Sequence, residues 1–384
     1  MLNRLMVATA ATALMAVPAA AEWTAEELMM TRLGTTDPGA VIEEAFNRAA
    51  TPVTEEMRAK ALECWTNSRC ETGTGGPLTV AYADGFGENV WRQVTKMEFI
   101  MQALTYPEVG EIIYSSARGD AATAISDLRT YIARGVDAIV IFADHGEALA
   151  PTIREATEAG ISVTLHNGTT SGTSGVDYAA NIAEDICEMG RAFVRAVQEG
   201  NADAENIVAL GGTPGNPLSQ TWQDCAEETA GEMGMTILSR EDTNWTQEGT
   251  RLAVTGVLAR FDDIHGYIYE YADGFRGAVD AYREAGVPMD IVAALRTDEQ
   301  GVFCDMGEVD NPNFKIFYSS GQNFQSRIAL TAAMMAREGE VPAIIEVPFS
   351  MKPGSADMCD PSLPSEMSVS TILDVETLQA MFAN

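Results

Sequence analysis

The residues best placed to bind a small molecule follow a short apolar run early in the chain. Residues 78–82 have the apolar, β-prone character of a buried strand, and a turn with two glycines comes next. Glu88 and Asn89 then open a helical pattern that contains Trp91. Because ligands of open α/β sheets bind in the crevice beyond the carboxyl ends of the strands, this turn is a candidate binding site. Carboxylate and amide groups there could bind hydroxyl groups, and an indole could cover the C–H surface of the same molecule.

The same strand, turn and helix could instead hold a dinucleotide, so an exported NAD-dependent oxidoreductase is the alternative from a different class. The fingerprint of that site is G-x-G-x-x-G directly after the strand. Gly85 and Gly87 fit it, but Val90 stands at the third glycine position. The next predicted strand ends in Ser115 and Ser116 in place of the acid that would bind the ribose. The sequence therefore favours binding without a dinucleotide.

Other cofactor and metal motifs are missing from the sequence. Residues 211–216 read GGTPGN and lack the terminal Gly-Lys-Ser/Thr of a phosphate-binding loop. The chain has three histidines, no C-x-x-C and no H-E-x-x-H, so no metal site is expected. No G-x-S-x-G nucleophile elbow occurs either. We expect a protein that is not an enzyme and needs no cofactor.

The N-terminus and the charge of the chain restrict where it works. Residues 1–21 contain a basic residue, an apolar stretch at 5–17 and three alanines at 19–21, which is the pattern of a cleavable signal peptide. The apolar stretch is too short to span a bilayer, so we expect a soluble exported chain of 384 − 21 = 363 residues. A formal charge of −32 argues against nucleic acid and anionic membranes as partners, because both attract clustered basic residues.

Six cysteines in an exported chain suggest disulfides, and six cysteines allow fifteen pairings. Cys64 and Cys70 lie close enough in the sequence CWTNSRC to pair locally. By elimination, the other pairs would be Cys187 with Cys225 and Cys304 with Cys359. The sequence alone cannot choose among the pairings.

Alternating apolar and helical segments predict two similar α/β lobes. The pattern of strand and helix runs once through the first half of the chain and restarts after a helix at 183–198. The predicted strands are 78–82, 111–114, 138–142, 161–165 and 176–180 in the first set, 206–210, 235–238, 266–269 and 290–294 in the second, and 315–318 and 344–348 near the end. Short strands that are apolar on both faces and followed by helices indicate parallel, doubly wound sheets.

Four stretches of the chain resemble type I periplasmic solute-binding proteins of the ribose-binding kind, the receptors of ABC importers for sugars and polyols. They are LTVAYADGFGENVWRQV at 78–94, RGVDAIVIFAD at 134–144, AGISVTLHN at 159–167 and IVALGGTPGNPLSQTWQDCAEE at 207–228. The resemblance implies two Rossmann-like lobes, joined by a three-crossover hinge, that close over one ligand. It further implies a sugar or polyol ligand, a permease of the inner membrane as partner and a periplasmic location, and we expect a monomer. A ligand sensor for a chemoreceptor or histidine kinase on the same fold is a second alternative.

The predicted domains follow from these patterns. Residues 1–21 are the signal peptide, and residues 22–76 are a helical N-terminal extension. We expect lobe 1 to comprise 77–182 with 320–345, and lobe 2 to comprise 183–319 with 346–384.

The resemblance also implies a set of ligand contacts, carried over position by position. They open the first helix, follow the strands of both lobes and occupy the last hinge. The positions are Glu88, Asn89, Trp91, Asp144, His166, Asn167, Gln220, Tyr271, Arg296, Asp298 and Gln322. The family usually has an acid followed by Arg where this chain has His166 and Asn167, which argues against a ribose-like ligand.

Several of these positions have a purely structural interpretation as well. Trp91 could be a core residue, and Asp144 could cap the helix that follows it. His166 could be a loop histidine without a ligand. Gln220 and Trp222 lie at the head of a helix in the second lobe, where exposure to solvent is the default expectation.

Overall fold

The computed structural model of the chain describes residues 23–87 and 89–383, with only the backbone at position 217. The predicted signal peptide at 1–21 and the candidate ligand contact Glu88 lie outside the described residues. Within the described ranges, no helix is long and apolar enough to cross a membrane.

Strands and helices alternate through most of the described chain. The strands are β1 Arg69–Glu71, β2 Leu78–Asp84, β3 Val109–Ser116, β4 Ala138–Phe142, β5 Ser162–His166, β6 Ala180–Ala183, β7 Asn206–Gly211, β8 Thr236–Asp242, β9 Gly266–Tyr269, β10 Val292–Leu295, β11 Lys315–Tyr318, β12 Ile344–Glu346 and β13 Lys352–Pro353. The helices are α1 Ala25–Leu33, α2 Ala40–Ala49, α3 Glu55–Thr66, α4 Val90–Ala103, α5 Ala121–Arg134, α6 Gly146–Glu158, α7 Ile186–Gly200, α8 Pro217–Glu232, α9 Gln247–Leu258, α10 Ala272–Ala285, α11 Gly301–Val309, α12 Gln325–Ala336 and α13 Val375–Phe382.

Two parallel-dominated sheets organise these elements, which confirms the predicted fold class. The first sheet has the strand order β1-β3-β2-β4-β5-β6-β12, and the second has the order β13-β11-β10-β9-β7-β8. The edge strands β1 and β13 run antiparallel to their neighbours, whereas the other paired strands are parallel. The chain passes between the sheets after β6, after β11 and after β12, so the expected three crossovers are present.

Each sheet is buried on both faces, which explains the continuous apolar runs of its strands. In β2, Val80 and Tyr82 belong to one apolar cluster, and the alternate residues Ala81 and Ala83 belong to another on the opposite face. The second sheet has the same arrangement in β7, where residues 208 and 210 pack in one cluster and residues 207 and 209 in the other. Neighbouring strands and helices supply the other members, so helices cover each sheet on both faces, as a doubly wound sheet requires.

The predicted strand at 176–180 is displaced in the structure. The observed strand β6 begins only at Ala180, so most of that prediction is wrong. Val176 lies just after Gly175, whose φ is 79°, and its side chain is 71% exposed. Valine is common in strands, so an exposed valine in a turn cannot be told from a strand residue by its type alone. Only the contacts of the folded chain distinguish the two cases.

The N-terminal extension is helical, as predicted, and its helices α1 to α3 join the apolar core of the first lobe, where α2 packs on α4 and α12 and α3 packs on α4 and β1. Leu28, Ile42 and Phe46 belong to the same apolar cluster as Val80 of β2. The C-terminal helix α13 contributes Leu378 to that cluster as well. Both ends of the described chain therefore meet on the same lobe.

Three disulfides are present in the structure. They join Cys64 to Cys70, Cys187 to Cys225 and Cys304 to Cys359, the pairs that the sequence suggested.

Candidate ligand-binding cleft

The carboxyl ends of the two sheets face each other, and Arg296 and Asn167 contact each other there; the region between these strand ends is called the cleft below. Arg296 follows β10 of the second sheet, and Asn167 follows β5 of the first. The Nη2 of Arg296 donates a hydrogen bond of 2.7 Å to Oδ1 of Asn167. Its Nε donates another, of 2.6 Å, to Oε2 of Glu184, which follows β6. Two of the residues predicted as ligand contacts thus lie together at the carboxyl ends of the sheets.

A second arginine, Arg92, organises the first-sheet side of the cleft. Its Nη1 donates to Oδ1 of Asp84 at 2.8 Å, and its two terminal nitrogens donate to both carboxylate oxygens of Asp144 at 3.0 and 2.7 Å. Asp84 ends β2 and Asp144 follows β4, and these strands are neighbours in the sheet. The guanidinium carbon also lies 3.2 Å from the centroid of the Phe142 ring, in cation–π contact.

Burial and charge act against each other in this cluster. Burial raises the pKa of the Asp84 carboxyl, and Arg92 and the Phe86 N–H partly oppose that shift. Burial also disfavours the charge of Arg92, but Asp144 and Asp84 outweigh it and raise the guanidinium pKa above its usual value. The Asp144 side chain remains 26% exposed, so it is the carboxylate of the pair that a ligand can reach.

Gly85 allows this arrangement because it has no side chain. A Cβ at this position would lie 2.4 Å from Oδ2 of Asp144, which is closer than real Cβ contacts. The glycine of the turn after β2 therefore lets the Asp144 carboxylate approach the backbone.

Asn89 and Trp91 connect helix α4 to its surroundings. The Oδ1 of Asn89 accepts a hydrogen bond of 2.9 Å from the Arg92 N–H, so Asn89 is the N-cap of α4. The Trp91 side chain is buried, and its indole N–H donates to the carbonyl of Gly321 at 2.9 Å. Gly321 lies in the crossover between β11 and α12, so Trp91 ties the helix at the cleft to the hinge.

His166 ends β5 and is fully buried. Its ring stacks on Tyr82, with centroids 5.6 Å apart, and its Nε2 lies 3.1 Å from the Tyr82 hydroxyl. Burial, assisted by the nearby Arg92, lowers the pKa of the imidazole to about 3, so His166 is neutral at physiological pH. Its Nδ1 is within 3.2 Å of the amide nitrogen of Asn167, which has a left-handed φ of 49°. His166 thus contacts the side-chain amide of Asn167 and helps to fix its position.

On the second sheet, Glu270 follows β9 and is buried. Its carboxylate accepts hydrogen bonds from Ser219 at 2.5 Å, from the Trp245 indole at 2.8 Å and from the Trp222 indole. Burial raises the pKa of Glu270, and these three donors partly oppose the shift. Trp222 is fully buried, so the expectation that it faces solvent is wrong; its indole N–H needs the acceptor that Glu270 supplies.

The Glu270 carboxylate fixes the position of the aromatic side chain of Trp245. Its backbone is left-handed, with φ of 50°, and its side chain is only partly buried. The ring lies against the backbone of Gly212, where a Cβ would be 2.1 Å from the indole. Because Gly212 follows β7, the indole lies at the carboxyl end of the second sheet.

The other predicted positions of the second lobe differ in their surroundings. Gln220 is exposed on α8, one residue after the buried Ser219. Tyr271 is the partly buried N-cap residue of α10 and packs edge-on against Tyr269, with ring centroids 6.5 Å apart. Burial raises the pKa of the Tyr271 hydroxyl, which therefore stays protonated.

Asp298 and Gln322 are buried at the hinge, and both are hydrogen-bonded to other residues of the protein. The Asp298 carboxylate accepts a hydrogen bond from the Ser368 hydroxyl, and burial raises its pKa to about 6. Gln322, with φ of 50°, donates to the carbonyl of Pro348 at 3.1 Å and accepts from Gln325 at 2.6 Å.

Six residues that the structure places at the cleft or next to it were not predicted as contacts. They are Asp84, Arg92, Phe142, Glu184, Trp245 and Glu270. For Asp84 and Arg92 a signal was present, since an acid shortly after a predicted strand precedes an Arg in the first turn of the next helix. Glu270 directly follows a predicted strand, and the crevice rule applies to it as well.

Two doubly wound sheets, three crossovers and polar groups converging at the carboxyl strand ends define a two-lobed binding protein. Residues 83–337 match the sequence model of the periplasmic binding protein domain, and the chain belongs to this family.

Individual relatives agree with the family. The xylitol-binding protein of Mycolicibacterium smegmatis is 24% identical over 178 residues, which are 46% of this chain and 50% of that protein. The chain thus matches about half the length of this curated relative.

Two solved structures share the fold. The periplasmic binding protein component of the arabinose ABC transporter from Shewanella sp. ANA-3, bound to α- and β-L-arabinofuranose, has a TM-score of 0.63 and 20% identity, covering 72% of this chain and 91% of that one. The fructose-binding periplasmic domain of a hybrid two-component system has a TM-score of 0.62 and 18% identity, covering 72% and 90%. The fold is therefore that of type I periplasmic binding proteins.

Proposed function

We propose that this protein is the periplasmic substrate-binding component of an ABC importer. It captures a sugar or polyol between its lobes and delivers it to a permease of the inner membrane, as a monomer and without catalysing a reaction. The observation that carries this proposal is the Arg296–Asn167 contact, because it brings hydrogen-bonding groups from the ends of both sheets to one place.

The groups around this contact suit a ligand with many hydroxyls. Asp144 offers a partly exposed carboxylate, and Asn167 and Arg296 add an amide and a guanidinium. Each hydroxyl that loses water on burial needs such a partner. The partly exposed indole of Trp245 supplies an aromatic face for C–H surfaces, as sugar binding requires.

The charges at the cleft favour a neutral ligand over an anion. Around Arg92, Arg296 and Trp245, two guanidinium groups lie beside four carboxyl groups: Arg92, Arg296, Asp84, Asp144, Glu184 and Glu270. The local excess of carboxyl groups repels anions such as sugar acids. The xylitol-binding relative supports a polyol as the first ligand to test.

A thermal-shift screen of residues 22–384 tests the ligand class. Xylitol, L-arabinose, fructose, ribose and myo-inositol form the panel, and nucleosides and organic acids serve as controls. A ligand that binds the folded state raises the melting temperature with its concentration. We expect at least one polyol or sugar to do so, whereas a response to the controls alone would refute the carbohydrate assignment.

A sensor that reports its ligand to a kinase or chemoreceptor is the second candidate. The fold likeness to a periplasmic domain of a two-component system supports it. Uptake of the radiolabelled ligand by a deletion strain separates the two. An importer component predicts that uptake is lost, whereas a sensor predicts that uptake remains once the transport genes are expressed from a constitutive promoter.

A further inference from the structure

A C-terminal segment connects the two lobes a fourth time. After β13, at the edge of the second sheet, the chain continues to Cys359 and then returns to the first lobe, where α13 packs. We name residues 359–374 the strap. It is distinct from the three crossovers, because it leaves the second lobe after all strands of both sheets are complete.

The strap is fixed to the second lobe by covalent and hydrogen bonds. The disulfide from Cys359 to Cys304 of α11 holds its start. The backbone N–H groups of Gln300 and Gly301 donate to carbonyls of strap residues 367 and 365, each at 2.7 Å. The N–H of Val369 donates to the Asp298 carbonyl at 3.1 Å. Residues 365–369 of the strap are therefore hydrogen-bonded along their backbone to the second lobe.

The strap is fixed to the first lobe just as directly. Glu98 of α4 accepts hydrogen bonds from the Thr371 hydroxyl at 2.6 Å and from the Ile372 N–H at 2.8 Å. Arg32 of α1 donates to the Thr371 carbonyl at 3.0 Å, and Arg58 of α3 pairs with Asp374 at 3.0 Å. The N-terminal extension therefore supplies part of the anchor.

Only Ser370 separates the last anchor on the second lobe, Val369, from the first anchor on the first lobe, Thr371. Ser370 is buried, with 7% of its surface exposed. A chain of this length spans at most about 7 Å, since an extended residue covers roughly 3.5 Å. The lobes cannot separate further at this point unless one anchor breaks.

We propose that the strap limits how far the two lobes open. In a hinge motion, a few residues at the ends of secondary-structure elements absorb the change in backbone angles. The three crossovers would allow the lobes to rotate apart in this way, and the strap, as a short fourth connection, restricts that rotation. The proposal concerns the protein without ligand, so it stands or falls independently of what the cleft binds.

A slackened strap tests the proposal without removing any anchor. Gly-Ser-Gly-Ser is inserted after Ser370, and the matched control carries the same insertion after Gly339, an exposed glycine with open space on the side where a Cβ would lie. Small-angle scattering of the ligand-free proteins measures the radius of gyration. We expect the Ser370 insertion to increase it relative to the control and to wild type.

A disulfide pair provides the second test. Cys304→Ser with Cys359→Ser releases the start of the strap, whereas Cys187→Ser with Cys225→Ser removes a disulfide between α7 and α8 within the second lobe. We expect a larger radius of gyration in the first variant only. Equal radii for strap and control variants, with the circular dichroism of the folded protein retained, would overturn the proposal.

Discussion

Arg296, which follows β10, donates a hydrogen bond across the cleft to Asn167, which follows β5; the Nη2–Oδ1 distance is 2.7 Å. The contact fixes two polar side chains between the carboxyl ends of the two sheets, in the site proposed for the ligand. A ligand that depends on this arrangement should be sensitive to either partner.

Asn167→Gly removes the amide and suits the left-handed φ of 49°, which glycine adopts without strain. We expect about tenfold weaker ligand binding, on the order of 1.4 kcal/mol, in calorimetry with the best ligand of the screen. Asp310→Gly is the control, because it also replaces a left-handed residue, with φ of 47°, on the exposed end of α11. Equal affinity in both variants would mean that Asn167 does not contribute to the site.

Glu270→Gln tests the anchor of Trp245. A glutamine offers one acceptor oxygen and a donor NH₂ group, so it cannot satisfy the three donors that the carboxylate accepts from. We expect loss of about 1–3 kcal/mol of stability in urea unfolding and about tenfold weaker ligand binding. Glu241→Gln, which removes a surface pair with Arg260, is the matched control and should change neither quantity much. Unchanged binding by the Glu270 variant would exclude a role for the anchored indole.

Glu299 makes stability depend on pH. Its carboxylate accepts from the Thr297 hydroxyl and the Asp273 N–H, and burial raises its pKa to about 8. The folded state therefore keeps a proton that the unfolded state has released, so this contribution to stability is complete below the unfolded pKa and is lost as the pH rises through about 8.

In Glu299→Gln we expect the unfolding free energy to fall less steeply with pH between pH 5 and pH 8 than in the wild type. The slope should be smaller by up to about 1.4 kcal/mol per pH unit. Urea unfolding at several pH values measures this slope. Glu55→Gln, at an exposed position of α3, should retain the wild-type slope. The same slope in all three proteins would contradict the assigned protonation.

Glu98 and Arg327 form a buried ion pair between α4 and α12, and Glu98 also accepts from the strap. Glu98→Ala leaves the Arg327 charge buried without its partner, so we expect a loss of about 3–5 kcal/mol in unfolding free energy. Glu44→Ala breaks the surface pair with Arg48 on α2 and should cost under about 1 kcal/mol. Similar losses in the two variants would show that burial of the first pair has little effect.

Much of the fold could be predicted because its strands are buried on both faces and bounded by turns. The strands at 138–142, 266–269 and 315–318 were predicted with the observed bounds. The short edge strand β13 and the helix α13 were not foreseen, because each depends on contacts with a distant part of the chain. Such tertiary contacts leave little local pattern.

The site was predicted less completely, for a physical reason. Asp144, Asn167 and Arg296 follow strands, and the crevice rule locates such residues without knowledge of their partners. Arg92 gains its role only when neighbouring strands bring Asp84 and Asp144 together, although they are distant in sequence. Trp245 depends in the same way on Gly212 and Glu270, which belong to the ends of other strands.

The three disulfides follow one another along the chain and never interleave, with separations of 6, 38 and 55 residues. A polypeptide that enters an oxidising compartment from its N-terminus exposes each cysteine just before its own mate. Under the export proposed above, an oxidant that joins thiols in order of arrival would therefore produce the native set directly, without a disulfide isomerase.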